Sequence, residues 1–325
     1  MPTRRVTIRE VAQAAGVSRQ TVTRAINDMA DISEETRQRV MKTVEELGYR
    51  PNRFAIELSR QRTLSVGLII GTFRNPYYAQ LADAFVNELQ RRDWQLVVGT
   101  SERGEAEVIG SMASQVDAIV GYIDQSEDEI AATFRGMPII RLEHRATTAG
   151  VHSVELDWRR GVTDLVTALR AKGARRFGMI DASPATPDPL GTPRRRYFED
   201  AVSEQCTVVT EIQSIAGGAD GIRKLLAQDP RIDTVLAFND LMAMGAVQGA
   251  HTLGVDVPGA IRIVGIDGLS LGEAVSPQLT SLSLDSAAVA REAADILAQL
   301  FAGHAGTSGS IARAVTPVVV WRESA

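Results

Sequence analysis

Along the first fifty residues apolar side chains recur at three- and four-residue intervals, the spacing of one buried helical face. Thr7-Ile-Arg-Glu10 has the capping-box form, a threonine followed three residues later by a glutamate, and predicts a helix over Ile8–Ala15. Gly16 suits the left-handed turn that ends such a helix. Ser18 can cap a second helix, Arg19–Asn27. Val11, Val17, Val22 and Ile26 are spaced to pack the inside of that corner, which leaves Arg19, Gln20, Thr23 and Arg24 facing outward. Ser33-Glu-Glu-Thr36 opens a third helix, with Val40, Val44 and Leu47 as its apolar stripe and Gly48 at its end. Two short helices joined by a tight glycine turn form a helix-turn-helix unit.

From Leu64 onward the pattern alternates between short apolar, β-branched runs and amphipathic stretches. Strands are expected at Leu64–Ile70, Trp94–Gly99, Asp117–Ile123 and Pro138–Leu142, with a helix over Tyr77–Arg92 and a short one before Asp117. A second series follows. Its helices are Trp158–Lys172, Arg194–Gln205, Asp220–Gln228 and Leu241–Leu253; its strands are Arg176–Asp181, Thr207–Ile212, Thr234–Phe238 and Ile261–Ile266. Apolar strands between helices imply parallel sheets covered on both faces, and two series imply two lobes. Ser286–Phe301 reads as a late helix and Val315–Trp321 as a last strand, so the chain is expected to cross back between lobes.

Charge sharpens this division. Residues 1–62 hold 12 Lys and Arg against 8 Asp and Glu, a net +4, and the rest of the chain carries −9 of the total −5. A cationic head on an anionic body fits a polyanion partner for the head, although a segment this short can reach +4 by chance. An α-helix fits the DNA major groove. Arg can bind guanine O6 and N7 together, and Gln adenine N6 and N7. Arg19, Gln20 and Arg24 supply that chemistry on one face; the plain alternative is a solvated polar face. The single cysteine, Cys206, allows no intrachain disulfide and fits a reducing cytoplasm. The four histidines are scattered without metal-ligand spacing, so neither metal nor cofactor is expected. No run approaches the roughly 20 apolar residues of a membrane span, and the charged start does not read as a secretory signal.

Val6-Thr-Ile-Arg-Glu-Val-Ala-Gln-Ala-Ala-Gly-Val-Ser-Arg-Gln-Thr-Val-Thr-Arg-Ala-Ile-Asn27, then Leu47-Gly-Tyr-Arg-Pro-Asn-Arg53, closely resembles the DNA-binding headpiece of the LacI/GalR family of transcriptional regulators. The resemblance implies that Arg19 and Gln20 are the operator-reading pair, with Thr23 beside them, and that Arg24 is a more general base contact. It assigns Thr7, Thr21, Asn27, Ser33, Tyr49 and Asn52 to phosphates, contacts that fix register without reading sequence. Pro51-Asn-Arg-Phe-Ala-Ile-Glu-Leu-Ser59 resembles the family's hinge helix, too short to be stable alone. In the family two hinges meet in the minor groove, where a leucine wedges into the base stack. Leu58 matches that leucine, with Ala55 beside it; otherwise Leu58 is an ordinary packing residue.

Further matches run through the body: Val66-Gly-Leu-Ile-Ile70, Asn75-Pro-Tyr-Tyr78, Ala237-Phe-Asn-Asp-Leu-Met-Ala-Met-Gly245, Ile263-Val-Gly-Ile-Asp267 and Trp321-Arg-Glu-Ser324. They imply an all-α helix-turn-helix headpiece followed by an α/β, two-lobed, periplasmic-binding-protein-like (type I) effector domain with parallel sheets. The expected division is 1–50 headpiece, 51–62 hinge helix and 63–325 effector-binding and dimerisation domain. Within it the N-lobe spans about 63–156 and 286–313, and the C-lobe about 157–285 and 314–325.

Ligands of open α/β sheets sit beyond the strand C-termini, which makes Phe73, Asn75, Tyr77, Glu143, Asp157, Trp158, Asn239 and Asp267 effector-binding candidates. By resemblance Arg196 joins them as the family's effector arginine. Carboxylates and an arginine fork can pair with vicinal hydroxyls, and aromatic faces can cover a sugar or base ring. The inventory suits a carbohydrate, with a nucleoside or purine as the alternative. Arg194-Arg-Arg196 raises a sugar phosphate, or else Arg194 and Arg195 form a solvated helix turn. Asn239 and Asp267 could instead be caps or turn formers, and Trp158 could simply pack between lobes. Two departures stand out: the family usually has Asp-Asn at Asp157-Trp158, and Arg-x-x-Gly-Phe at Arg196-Tyr-Phe-Glu-Asp200. The segment after Thr100 also looks short.

Gly268-Leu-Ser-Leu-Gly272 also fits the G-x-S-x-G nucleophile elbow, with Asp285 or Asp295 and then His304 in the right order for a serine esterase. Gly272 and Pro277 interrupt the helix an elbow requires, so a non-enzymatic regulator is the reading. The expectation is a cytoplasmic, nucleoid-associated repressor. It is a homodimer on a pseudo-palindromic double-stranded DNA operator, with no membrane partner. The chain stops at Ala325, without room for the C-terminal heptads that make tetramers in part of the family.

Overall fold

The structure, a computed structural model, describes residues 8–26, 32–47, 63–133, 137–183, 191–203, 206–302 and 309–325. Thr7, Asn27, Tyr49, Asn52, Ala55, Leu58 and His304 lie outside them, as do the side chains of Thr23 and Ile26. The chain divides into two compact units, 1–62 and 63–325.

In the first unit, α1 (Ile8–Ala15), α2 (Arg19–Ile26) and α3 (Glu34–Glu46) enclose a small core. Val11, Val22 and Val40 are fully buried, with Ala12, Ala15 and Ala25 around them and Val17, Ile32 and Val44 at the margin. Gly16 takes φ 66°, and the Val17 amide closes the turn onto the Ala12 carbonyl at 3.0 Å. A side chain at Gly16 would strain that turn, which is why glycine belongs there. The stripe on α3 stops early, because Leu47 is exposed rather than packed.

The second unit contains two six-stranded sheets. The first has the order β11-β5-β4-β3-β1-β2, from β1 (Ser65–Ile70), β2 (Gln95–Thr100), β3 (Ala118–Gly121), β4 (Ile139–Leu142), β5 (Val151–Leu156) and β11 (Ala312–Val315), all parallel. Its helices are α4 (Pro76–Gln90), α5 (Glu105–Ala113), α6 (Glu127–Thr133) and α11 (Ser286–Phe301). The second sheet has the order β12-β10-β9-β8-β6-β7, from β6 (Phe177–Ala182), β7 (Thr207–Glu211), β8 (Thr234–Ala237), β9 (Arg262–Asp267), β10 (Thr280–Ser283) and β12 (Val318–Val320); only β12 is antiparallel. It carries α7 (Trp158–Ala171), α8 (Pro193–Val202), α9 (Ile215–Gln228) and α10 (Asp240–Thr252). The inner strands β1, β3, β4, β6, β8 and β9 read as near-continuous apolar runs because both their faces are covered, whereas Val97 and Val98 of the edge strand β2 are exposed. α9 and α10 approach so closely that a Cβ on Gly218 would overlap the Met242 carbonyl.

The chain passes between the sheets after β5, after β10 and after β11. The last strand expected from sequence is therefore two strands, one in each sheet. Pro317, which has no amide donor, breaks the run. Gly161 on α7 admits it, since a Cβ there would come within 2.9 Å of the Pro317 carbonyl. Helix α6 and strands β5 and β10 carry too little periodicity to have been expected. Among the described residues no helix is long and apolar enough to cross a membrane, and no group of three His, Cys, Asp or Glu is gathered for a metal.

Candidate functional site

On the first unit, Ser18 caps α2 as its sequence predicts: the Thr21 amide donates to Ser18 Oγ at 3.1 Å, and the two hydroxyls lie 2.9 Å apart. Arg19 and Gln20 in the first turn are exposed, and Thr21 and Arg24 are half-buried. The helix thus turns its apolar side inward and offers Arg and Gln from its N-terminal turn. Ser33 caps α3 by accepting from the Thr36 amide at 3.3 Å.

In the second unit, strand ends of both lobes converge on one polar cluster. Asn75 Nδ2, from the loop after β1, donates across the cleft to Asp267 Oδ2 at 3.1 Å. Asp267 is the last residue of β9, almost fully buried, with φ 130°. Its other oxygen has no hydrogen bond among the described residues and faces Arg194 Nη1 at 3.6 Å. That nitrogen donates to the Phe238 carbonyl at 2.6 Å. On the opposite wall, Tyr77 and Tyr122 hydroxyls are 2.9 Å apart, and Tyr78 sets its ring edge-on to both neighbours at 5.4 Å. Glu143 follows β4 at φ 65°. Behind Asp267, Asp240 accepts from Ser281 Oγ at 2.5 Å and from the Leu269 amide at 2.7 Å, anchoring the turn that carries Asp267.

Burial governs the electrostatics of this cluster. It pushes the Asp267 carboxyl up to about 7 despite the nearby Arg194 guanidinium, and that of Asp240 up to about 6 despite its hydrogen bonds. Glu143 is raised by burial too, against the pull of Arg194. The Tyr78 phenol rises to about 12 through burial and then Glu143. Three buried carboxyls therefore lie near one another, with the Arg194 guanidinium acting on Asp267 and Glu143 and that of Arg322 on Asp240.

The expected effector residues separate accordingly. Asn75, Tyr77, Glu143, Trp158 and Asp267 are brought together. Asn239 caps α10 by accepting from the Met242 amide at 2.9 Å, and its buried Nδ2 has no partner among the described residues. Asp157 caps α7, accepting from the Arg160 amide at 3.1 Å, and Phe73 is 60% exposed. The arginine needs correcting: Arg194, not Arg196, enters the cluster. Arg196 Nη1 instead donates to the Gly191 carbonyl at 3.1 Å, and Arg195 Nε to Glu199 at 2.8 Å. Helical geometry explains the shift. Arg194 and the fully buried Phe198 lie one turn apart on the inward face, whereas Arg196 is about 200° from Arg194. Placing the Phe of the Arg-x-x-Gly-Phe pattern on Phe198 would have put its arginine at 194. Arg194 is consequently no solvated turn residue, its side chain being 14% exposed. Tyr122, Phe238 and Asp240 are not among the sequence candidates: Tyr122 and Phe238 each directly follow a strand that the apolar pattern extends through them, and Asp240 is the first residue of α10.

The nucleophile elbow of an esterase does not form at Ser270. Ser270 opens a single 3-10 turn, Ser270–Glu273, with no α-helix behind it. Asp285 caps α11 by accepting from the Ala288 amide at 3.0 Å, and Asp295 pairs with Arg92.

Comparison with known proteins agrees with both units. Residues 7–52 match the family model described as bacterial regulatory proteins, lacI family, and residues 166–325 that of a periplasmic binding protein-like domain. The chain is 28% identical over 290 residues to catabolite control protein A of Priestia megaterium, covering 85% of this chain and 87% of that protein. A LacI family transcriptional regulator from Arthrobacter sp. FB24, solved in complex with lactose, superposes with a TM-score of 0.73 at 27% identity, over 81% of this chain and 99% of that one. The transcriptional regulator CelR in its cellobiose complex gives 0.68 at 26% identity, over 99% and 100%. This chain belongs to the LacI/GalR family of transcriptional regulators.

Proposed function

We propose that this protein is a sequence-specific DNA-binding repressor whose operator affinity is set by a small molecule, a sugar or sugar derivative, bound between the two lobes of residues 63–325. The observation that carries the reading is the cluster of Asn75, Arg194 and Asp267, in which polar groups of both lobes meet. A molecule engaging both walls changes how the lobes sit, and coupling between ligand and DNA is reciprocal. Lactose and cellobiose in the two similar proteins support the carbohydrate class. Tyr77, Tyr78 and Tyr122 supply ring faces that would also suit a nucleobase, so nucleosides belong in the screen.

In this reading residues 1–50 form the headpiece. Arg19, Gln20, Thr23 and Arg24 read bases, and Thr7, Thr21, Asn27, Ser33, Tyr49 and Asn52 hold phosphates. Residues 51–62 are the hinge, with Ala55 and Leu58 in the minor groove. A homodimer in the cytoplasm, associated with the nucleoid, binds a pseudo-palindromic operator whose half-site spacing follows the two-fold axis. The test is to select an operator from random DNA with the full chain, then measure its affinity with and without lactose, cellobiose, ribose and nucleosides. A palindromic consensus whose affinity changes with one of them is expected. Selection of no consensus, or an affinity that none of them alters, would refute the corresponding half of the reading.

A further inference from the structure

Arg194 is held by more than charge. Its guanidinium carbon lies 4.9 Å from the centroid of Trp158 and 4.5 Å from that of Phe238. Trp158, the first residue of α7, is 6% exposed. A guanidinium has five N–H donors in one plane. Contact with ring faces fixes that plane and keeps water from it. Nη1 is taken by the Phe238 carbonyl and faces Asp267; among the described residues Arg194 makes no other hydrogen bond. The edge bearing Nε and Nη2 is left to be used.

Two buried carboxyls already stand against that one guanidinium. Asp267 and Glu143 both act on Arg194, while Arg195 pairs with Glu199 and Arg196 bonds a carbonyl. A hydroxyl can accept from the Arg194 edge and donate to a carboxylate. A phosphate can only accept, and it would bring further negative charge against two buried carboxyls.

We propose that Trp158, with Phe238, is a positioning residue that fixes the unused edge of Arg194 toward the ligand, and that the cleft takes an uncharged polyhydroxylated molecule and rejects its phosphate ester. This rests on the effector reading above and narrows it.

Two measurements on the full chain test it. The first needs no ligand: exchange of the Arg194 Nε proton in protein labelled with 15N-arginine, assigned by its loss in Arg194→Lys. Slow exchange is expected in wild type and in Trp158→Phe, and at least tenfold faster exchange in Trp158→Ala; equal rates in wild type and Trp158→Ala overturn the positioning role. The second is calorimetric titration with glucose 6-phosphate and with inorganic phosphate. No saturable binding is expected, and saturable binding that Arg194→Lys abolishes overturns the ligand class. The two readings fail differently. A sugar that shifts operator affinity equally in wild type and Trp158→Ala removes the clamp but leaves the effector. A slowly exchanging Arg194 in a protein that no sugar or nucleoside regulates removes the effector but leaves the clamp.

Discussion

Helices α2 and α8 look alike on paper. Each is short, and each opens with basic residues: Arg19 in one, Arg194-Arg-Arg196 in the other. Their surroundings set them apart. On α2 the apolar positions face a minimal core, and Arg19 and Gln20 of its first turn are exposed, as the helical pattern alone predicts. On α8 three adjacent arginines meet three environments: a buried carboxylate and two rings, a neighbouring glutamate one turn on, and a backbone carbonyl. Basic residues on an exposed helix are defined by their own type; those on a packed helix are defined by what the rest of the chain brings to them.

The largest effect that would break this contrast is on α8. Arg194→Met leaves Asp267 buried without its counter-charge and should destabilise the second unit by about 3–5 kcal/mol at pH 8, read from urea unfolding by tryptophan fluorescence. The loss should shrink at pH 6, where Asp267 can take a proton. Arg195→Ala, one residue along, should change stability by less than about 1 kcal/mol, because its pair with Glu199 is partly exposed. Similar losses for the two variants would erase the distinction between neighbours.

The next effect is on pH. Asp267 is raised in the folded state, from its ordinary 3.8 to about 7, so folded protein binds more protons than unfolded protein across that interval. Stability contributed by this group should therefore fall as pH rises from about 4 to about 7, by on the order of 2–4 kcal/mol. Asp267→Asn should flatten most of that slope, with Asp240 leaving a smaller residue of it at the acidic end. A wild-type profile that rises with pH through this window, or one the variant does not alter, would contradict the burial-dominated electrostatics.

On α2 the effects are smaller and fall on DNA. Arg19→Ala should cost about 1–3 kcal/mol of discrimination at one base pair, measured by competition among single-base operator variants; unchanged preference at every position would remove α2 from the reading head. Smaller still, Ser18→Ala removes the cap and should weaken the local helix by about 1 kcal/mol. Hydrogen exchange at the Thr21 amide, which donates to that hydroxyl, should then accelerate several-fold.

How much was legible follows the same division. The caps Ser18 and Ser33, the Gly16 turn and the buried Val11, Val22 and Val40 each follow from near neighbours in sequence. Leu47 was misplaced because a helical stripe says which face is apolar, not where the partner surface stops. In the body, alternating strands and helices were readable, but β5 and β10 were not, since a short buried strand carries no periodicity of its own. Asn75 and Asp267 were readable as strand-end residues; their mutual bond, across 192 positions of chain, was not.

By itself the sequence determined the local elements, the division into a basic head and an acidic two-lobed body, and the kinds of side chain offered at the strand ends. Only tertiary structure decided which arginine of three enters the cleft, that Trp158 and Phe238 flank it, and that one terminal strand is two. Hydrogen bonding and apolar periodicity act over a few residues and leave their mark in the neighbouring letters. Burial, counter-charge and ring contact depend on groups far apart in the chain, and they exist only once the sheets are closed.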